Sequence, residues 1–341
     1  MNAPGPNRSF LFAPGDHPRR AEKVLQVGAD AAILDLEDAV AIAAKPAARG
    51  AVRAALERPR QCRAYVRVNA FDTPFCFGDL HAVISGTLDG IVLPKLEDAG
   101  QLLAVDWMIG NLEAERGLPA GGIDLMPIVE TARGLVALRD LARAAAALPS
   151  RRVRRLAFGA GDYTTDLGIT WTLAEDELAP ARSEFVLASR AAGLEPPIDT
   201  VFIELRETAA FEASCTRGAV LGFQGRLCIH PDQIAPANAA YSPPDAEITR
   251  ARRIVEAFAE AEAGGLASIQ VDGRFVDYPI VQKAERIWRL RQRSGPRRAD
   301  APTTRRARLH PKITAARAAR AQAAPHEGHR RGDHGAAFRP E

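Results

Sequence analysis

Short apolar runs alternate with amphipathic stretches along most of the chain. The runs are apolar on both faces, as expected of parallel strands covered by helices on both sides. They lie at 9–15, 31–38, 64–70, 90–96, 123–131, 155–162, 200–205 and 225–231. Between them, stretches such as 132–147 repeat leucine and alanine at helical spacing over a polar face. The pattern predicts eight repeats of a strand and a helix.

Eight such repeats within roughly 230 residues match a closed parallel (β/α)8 barrel, the TIM barrel. The alternative is an open doubly wound sheet, but no Gly-x-Gly-x-x-Gly follows the first strand, which disfavours a dinucleotide-binding fold. We therefore predict an α/β protein with a barrel over residues 1–242.

The pattern changes after the eighth run. It predicts a helix at 245–263, a hairpin in SIQVDGRFVDYP, where Asp-Gly suits a tight turn, and a last helix near 279–292. Residues 243–293, called the C-terminal segment below, are not needed to complete a barrel. We interpret this segment as a lid or an oligomer contact.

The last residues, 294–341, differ in charge from the rest. They carry eleven Lys and Arg against four Asp and Glu, within a chain whose net charge is only +3. They also contain few large apolar residues, so we predict a disordered basic tail. A role in nucleic-acid binding is disfavoured, because no aromatic residues are interleaved with its histidines to stack on bases.

The composition points to a soluble cytoplasmic protein. The chain is 47% hydrophobic, begins without the apolar core of a signal peptide, and has no run long enough for a membrane span. Its cysteines lie far apart with no Cys-x-x-Cys pair, which indicates neither a zinc site nor a disulfide framework. They are Cys62, Cys76, Cys215 and Cys228.

Charged and polar side chains gather where the predicted strands end. In a parallel barrel these ends form one face, so the side chains are expected to lie together. Burying Arg67, Lys95 or Glu130 is costly unless each pairs or holds a metal, which favours a shared site over separately satisfied charges. The residues at these ends are Asp35, Glu37, Asp38, Arg67, Asn69, Lys95, Glu130, Asp162 and His230.

The stretch FGAGDYTTDLG leads a buried strand through small residues directly into Asp162. In the simpler interpretation Asp162 caps the next helix. In the other, Glu130 and Asp162 are hard oxygen ligands for Mg²⁺, which usually takes one or two carboxylates and fills its other positions with water and substrate. We favour the metal, with the small residues at 159–161 leaving room beside Asp162. Arg67 would bind a substrate oxygen with its guanidinium group. A positive group beside a divalent ion suits a substrate that develops enolate charge.

Eight motifs in order carry a resemblance to a known family. The chain resembles the citrate lyase beta-subunit-like branch of the HpcH/HpaI aldolase family, which are Mg²⁺-dependent lyases on CoA thioesters. The resemblance runs from Arg8 to about Leu290. The motifs are RSFLFAPGD, ILDLEDAV, VRVN, VLPKLE, IVETARG, GAGDYTTDLG, CIHPDQI and VDYPIVQKAERI.

The resemblance implies roles for the residues at the strand ends. Glu130 and Asp162 would bind Mg²⁺, while Glu37 and Asp38 would orient Arg67 and metal-bound water. The residues implied to bind substrate are Arg67, Lys95 and Glu130.

It also implies functions outside those strand ends. Asp277 would be the catalytic acid/base, delivered by the C-terminal segment of a neighbouring subunit in a homotrimer or hexamer. CoA would lie near the first strand and the CIHP segment. The residues implied to contact it are Arg19, Arg20, Lys23 and His230.

The chain departs from the family pattern at two positions. His17 stands where many relatives have arginine, so a phosphate contact would move to Arg19, Arg20 or Lys23. Gly161 stands where others have glutamate before the metal aspartate, which alters the surroundings of Asp162 but not the ligand itself.

The implied reaction is a reversible Claisen or aldol-type cleavage. A 3-hydroxyacyl-CoA such as malyl-CoA or citramalyl-CoA would give acetyl-CoA and glyoxylate or pyruvate. Three alternatives stay open: a citrate lyase subunit acting on a carrier-bound thioester, an aldolase on free hydroxy acids, and a Schiff-base aldolase using Lys95. A noncatalytic binding protein using its basic tail is disfavoured by the presence of Asp277.

Overall fold

A closed barrel of eight parallel strands forms the body of the protein in the computed structural model, which describes residues 6–294. The strands are β1 (Ser9–Pro14), β2 (Ala31–Asp35), β3 (Arg63–Arg67), β4 (Gly90–Leu93), β5 (Asp124–Val129), β6 (Ala157–Phe158), β7 (Ile198–Asp199) and β8 (Gly225–Cys228). Each strand pairs with the next, and β8 closes the barrel against β1. The predicted TIM barrel is confirmed.

Helices connect the strands and cover the outside of the barrel. They are α1 (Pro18–Val24), α2 (Lys45–Leu56), α3 (Cys76–Val83), α4 (Ala99–Glu115), α5 (Ala132–Val136), α6 (Leu138–Ala147), α7 (Ala160–Leu167), α8 (Ala179–Ala192), α9 (Thr208–Leu221) and α10 (Ile234–Ala240). Short 3-10 helices lie at Ile42–Ala44, Asp176–Leu178 and Pro231–Gln233. None of the helices within residues 6–294 is both long enough and apolar enough to cross a membrane.

The strands bury side chains on both faces, as the sequence pattern requires. Along β1, Phe10 belongs to a small cluster with Tyr65 and Met126, whereas its neighbour Leu11 belongs to a much larger cluster that includes helix residues. Because successive side chains of a strand point to opposite faces, the small cluster fills the barrel and the large one lies between strands and helices.

A buried polar group lies inside the barrel near the amino ends of its strands. The Tyr65 hydroxyl donates a 2.8 Å hydrogen bond to Oδ2 of Asp124, and Arg155 donates to the same oxygen at 2.7 Å. All three side chains are almost fully buried, and their mutual bonds offset the cost of removing the charges from water.

Two predicted boundaries are wrong. The seventh strand is only Ile198–Asp199, whereas 200–205 was expected. The apolar run after it leaves the sheet so that Phe202 can pack on Phe211, with ring centroids 5.6 Å apart. The helix expected over 132–147 is divided into α5 and α6 at Ala137.

The C-terminal segment has a hydrophobic cluster of its own. It contains α11 (Asp245–Ala263), an antiparallel hairpin of β9 (Ser268–Val271) and β10 (Arg274–Asp277), and α12 (Tyr278–Ser294). Ile254 and Phe258 of α11 pack with Val276 and Val281 in this cluster. The predicted helix, hairpin and helix are present, and the predicted disordered tail, apart from Ser294, lies outside the described residues.

Candidate active site

Charged side chains from five successive strands meet at the carboxyl face of the barrel. Asp35 and Arg67 end β2 and β3, Glu130 follows β5 directly, and Asp162 lies in the first turn of α7 after β6. The strand-end cluster, as it is called below, consists of Asp35, Glu37, Asp38, Arg67, Lys95, Glu130 and Asp162. The structure thus brings together the charged residues that the sequence placed at the ends of strands two to six.

Arg67 is held rigidly in this cluster. Its Nε and one terminal nitrogen contact the two oxygens of Asp35 at 2.7 and 2.6 Å, and its other terminal nitrogen lies 2.8 Å from Oε2 of Glu37. The guanidinium also lies over the Phe12 ring, 4.8 Å from its centroid. A guanidinium has five N–H donors, so the three contacts leave two donors for a substrate oxygen.

Lys95 touches three carboxylates with its ammonium group and a fourth with its main chain. Its Nζ lies 2.5 Å from Glu37 Oε1, 2.8 Å from Asp162 Oδ2 and 3.4 Å from Asp38 Oδ2. Its backbone N–H donates a 2.9 Å hydrogen bond to Oε1 of Glu130. With φ at 51°, Lys95 has a left-handed backbone, which costs a non-glycine residue about 1–2 kcal/mol.

Gly159 makes room for Glu130. A Cβ at residue 159 would overlap Oε2 of Glu130 and stand 2.6 Å from its Cβ. The sequence had assigned the space beside Asp162 to substrate, but at Gly159 this space is filled by the Glu130 side chain. Gly161 is different, because a Cβ there would meet nothing closer than the Trp171 ring at 3.9 Å.

Asp162 is more accessible than Glu130. Its side chain is 37% exposed, whereas Glu130 as a residue is only 5% exposed. The buried hydroxyl of Thr200 accepts a 2.7 Å hydrogen bond from Ala160 N, which fixes the start of α7 and with it the position of Asp162. A carboxylate in the first turn of a helix is also stabilised by the helix dipole.

The pKa values of the cluster reflect an excess of negative charge. Burial raises the pKa of Glu130 to about 8; Arg67 opposes this rise, while the Glu37 and Asp162 carboxylates add to it. Burial also raises the pKa of Glu37, although Arg67 and Lys95 counteract it.

The ammonium of Lys95 is strongly stabilised. Burial lowers its pKa, but Asp162 and Glu37 outweigh burial, so the pKa lies above its ordinary value. A protonated lysine is not a nucleophile, and this argues against the Schiff-base alternative.

A network beneath the cluster supports the loop after β2. The buried Lys45 ammonium donates to the carbonyls of Leu36 at 3.0 Å and Glu37 at 2.6 Å. The Asn69 side chain also donates to the Leu36 carbonyl, at 2.9 Å, and its Nδ2 donates to Oδ2 of buried Asp79. No sequence pattern predicted a role for Lys45 or Asp79; the only signal was that both are polar residues near a strand-end loop.

The remaining predicted residues share no hydrogen bond or ion pair with the strand-end cluster within the part of the chain that the structure describes. His230 follows β8 and its Nδ1 accepts a 3.3 Å hydrogen bond from Asp232 N. Asp277 ends β10, is half-buried, and accepts a 3.3 Å hydrogen bond from Ile280 N. Within residues 6–294 no hydrogen bond or ion pair joins Asp277 to the cluster. The basic residues predicted to contact CoA, Arg19, Arg20 and Lys23, are all exposed on α1.

The carboxylate oxygens of the strand-end cluster fit a divalent cation that is bound by few protein ligands. Five carboxyl groups of the cluster face only two cations, Arg67 and Lys95. Among residues 6–294 no three His, Cys, Asp or Glu side chains form a preformed metal cage. Two carboxylates with open positions are typical of Mg²⁺, not of a structural metal.

The fold and the placement of these charges define a TIM-barrel enzyme, because such barrels carry their chemistry at the carboxyl ends of the strands. Residues 8–231 match the family model described as HpcH/HpaI aldolase/citrate lyase. The chain belongs to this family, and it is a lyase that acts on carbon–carbon bonds.

Known relatives match nearly the whole described chain. The citrate lyase subunit beta of Leuconostoc mesenteroides subsp. cremoris is 35% identical over 292 residues, covering 85% of this chain and 95% of that protein. The L-malyl-CoA/beta-methylmalyl-CoA lyase of Rhodobacter capsulatus is 33% identical over 305 residues, covering 83% and 94%. The structure of CitE from Mycobacterium tuberculosis in complex with magnesium, acetoacetate and coenzyme A is 31% identical with a TM-score of 0.65, covering 85% and 99%.

Proposed function

We propose that the protein is a Mg²⁺-dependent CoA-ester lyase. It cleaves or forms a 3-hydroxyacyl-CoA such as malyl-CoA or citramalyl-CoA, with acetyl-CoA and glyoxylate or pyruvate as the partners. The observation that carries this proposal is that Glu130 and Asp162 interact electrostatically within a cluster of five carboxyl groups and only two cations, one of which is Arg67. Magnesium, keto acids and CoA in solved relatives support the same assignment.

Glu130 and Asp162 would hold the metal, and Arg67 would orient the substrate. When bound, Mg²⁺ supplies a Lewis acid that polarises the keto acid carbonyl. The two free donors of Arg67 bind the carboxylate or carbonyl oxygen, and Asp35 and Glu37 keep the guanidinium in place. Arg67 thereby stabilises negative charge as the carbon–carbon bond breaks.

Asp277 supplies the proton transfer in this proposal. In cleavage it protonates the acetyl-CoA enolate, and in condensation it removes a proton from the methyl group of acetyl-CoA. Within the described chain Asp277 makes no hydrogen bond or ion pair with the strand-end cluster. A homotrimer in which each C-terminal segment reaches a neighbour's barrel would bring it there, and a cytoplasmic location remains part of the same proposal.

The CoA moiety would lie on the side of the barrel mouth where β1 meets β8. These strands are neighbours, so the start of α1 and His230 leave the barrel side by side. The exposed basic side chains of α1 can pair with phosphate groups at this position. They are Arg19, Arg20 and Lys23.

The second candidate is a citrate lyase subunit acting on a citryl thioester of a carrier protein. The similarity to the citrate lyase subunit beta of Leuconostoc mesenteroides favours it, since the identity is 35%. The two functions differ in what carries the thioester. An enzyme that turns over free CoA esters without a partner protein supports the first.

The test is product formation from acetyl-CoA with glyoxylate or with pyruvate, in Mg²⁺ or in EDTA, read by mass spectrometry. We expect malyl-CoA or citramalyl-CoA only with the metal, and none from the Asp162→Asn variant. The control is Asp140→Asn, whose exposed side chain pairs with Arg143 on α6. Folded wild-type protein that binds Mg²⁺ but forms no product with either acid would contradict the proposal; product that needs a carrier protein would favour the citrate lyase subunit.

A further inference from the structure

We propose that the Lys95 ammonium is a built-in counter-ion that Mg²⁺ must displace from Asp162, so that Lys95 sets the affinity of the site for the metal. The inference rests on the proposed function in one respect, namely that Asp162 is a metal ligand. It assigns to Lys95 a role that is neither substrate binding nor nucleophilic attack.

The contacts of Nζ divide into two groups. One contact, at 2.8 Å, is to Oδ2 of Asp162, a proposed metal ligand. The others, at 2.5 Å to Glu37 and 3.4 Å to Asp38, are to carboxylates outside the proposed ligand pair. The ammonium can therefore give up Asp162 and remain paired with Glu37 and Asp38.

The main chain of Lys95 acts separately from its side chain. Its N–H holds Oε1 of Glu130 at 2.9 Å, and this bond does not depend on which side chain residue 95 carries. Any unbranched L side chain meets the same left-handed backbone at φ 51°. Replacing Lys95 by methionine thus removes the charge and keeps the support of Glu130.

The sign of the effect distinguishes this role from a structural one. A cation on a ligand oxygen competes with an incoming metal ion and repels it afterwards, so removing the cation strengthens metal binding. If Lys95 served only to position the carboxylates, removing it would weaken metal binding.

The experiment is calorimetric titration of the full chain with MgCl2. For Lys95→Met and Lys95→Gln we expect a Kd about fivefold lower than that of the wild type, since partly exposed ion pairs contribute up to about 1 kcal/mol. Lys95→Arg keeps the charge and is expected to bind Mg²⁺ like the wild type. Arg58→Met removes an equal charge from a surface pair with Glu22, 3.3 Å away, and is expected to leave Kd unchanged.

Thermal melting gives a second, independent measurement. Without metal, Lys95→Met leaves Asp162 without its cation and leaves Arg67 as the one cation beside Glu37 and Asp38, so we expect a lower Tm than the wild type. With saturating Mg²⁺ we expect the rise in Tm to exceed that of the wild type. A metal-free melt also verifies that each variant is folded before its Kd is compared.

An unchanged or higher Kd in folded Lys95→Met and Lys95→Gln overturns the inference. If Asp162→Asn still abolishes Mg²⁺ binding in that case, the proposed function stands and only the role of Lys95 is lost. If the wild type binds no Mg²⁺, or Asp162→Asn binds it unchanged, the metal site itself is wrong and both proposals fail.

Discussion

The carboxylate of Glu130 occupies the space in which a side chain on Gly159 would begin. A methyl group there would also stand 2.9 Å from Cγ2 of Ile128, so neither neighbour can move away freely. Gly159→Ala is therefore expected to displace Glu130, weaken Mg²⁺ binding at least about tenfold, and lower the free energy of unfolding by about 1–3 kcal/mol. Calorimetric titration and urea denaturation measure the two effects.

The matched control is two residues further on. Gly161→Ala adds the same methyl group in α7, where the nearest atom belongs to Trp171 at 3.9 Å. We expect unchanged metal affinity and equal or slightly higher stability, because alanine favours a helix. Equal losses in both variants would show that Gly159 has no special relation to Glu130.

Arg67→Lys tests the guanidinium geometry rather than the charge. Lysine cannot span both oxygens of Asp35 and still reach Glu37, so we expect kcat/KM to fall by about 100-fold or more. Asp35 is buried and would keep only part of its pairing, which is expected to lower the free energy of unfolding by about 2–3 kcal/mol. Steady-state kinetics and chemical denaturation are the measurements.

Arg63→Lys at the opposite end of β3 is the control for this change. Arg63 donates a 2.7 Å hydrogen bond to the Asn7 side chain, away from the strand-end cluster. The Arg63→Lys variant should therefore retain the turnover of the wild type. Full activity in Arg67→Lys would contradict a role that depends on the planar guanidinium group of Arg67.

The ionisation of Asp124 should make the free energy of unfolding depend on pH in the acidic range. Burial raises its pKa, but Arg155, Arg154 and Tyr65 outweigh burial, so the pKa lies below its ordinary value. Ionised Asp124 therefore stabilises the folded state fully at pH values above its unfolded-state pKa of about 3.9. This stabilisation is lost as the pH falls through the lower pKa that Asp124 has in the folded state.

At pH 7, Asp124→Asn should cost about 3 kcal/mol of unfolding free energy, because Arg155 loses a buried partner. This difference from the wild type is expected to shrink below about pH 4. Urea denaturation between pH 7 and pH 3 measures it. Asp140→Asn, in an exposed pair with Arg143, should differ little from the wild type at every pH, and a constant difference for Asp124→Asn would refute the assignment.

Asp277 and Asp162 are expected to complement each other between subunits. Each of the variants Asp277→Asn and Asp162→Asn should be nearly inactive alone. Co-expressed in equal amounts, they should regain up to about a quarter of wild-type turnover if each trimer site combines one subunit's Asp162 with a neighbour's Asp277. No recovery in mixed trimers would contradict shared sites. Asp272→Asn at the hairpin tip, paired with Arg253 at 3.0 Å, is the control and should stay active.

The sequence predicted the barrel and the strand-end cluster for the same physical reason. Parallel strands buried on both faces are apolar along their length. Glu130 and Arg67 were therefore recognisable as charged residues at the ends of apolar runs. Barrel closure then dictated that these charges meet, because the carboxyl ends of all strands share one face.

Features that depend on three-dimensional packing could not be predicted from the sequence. Lys45 opens α2 like an ordinary surface lysine, yet it is buried because two main-chain carbonyls in the loop after β2 accept its ammonium. In β7 the apolar run VFI suggested a strand, but buried Asp199 and Thr200 end the pairing just before it. Gly159 looked like space for substrate, because nothing in the sequence shows that the Glu130 side chain fills it.

The C-terminal segment has a hydrophobic cluster of its own, so we expect it to unfold locally without the barrel. Ile254, Phe258 and Val276 pack with one another, apart from the two clusters of the barrel. A unit with its own core can open cooperatively while the rest stays native, at a free energy set by its own contacts. Its amide hydrogens would then exchange together and ahead of those in the barrel strands, so the part that carries Asp277 can be released and recaptured without unfolding the part that carries Asp162.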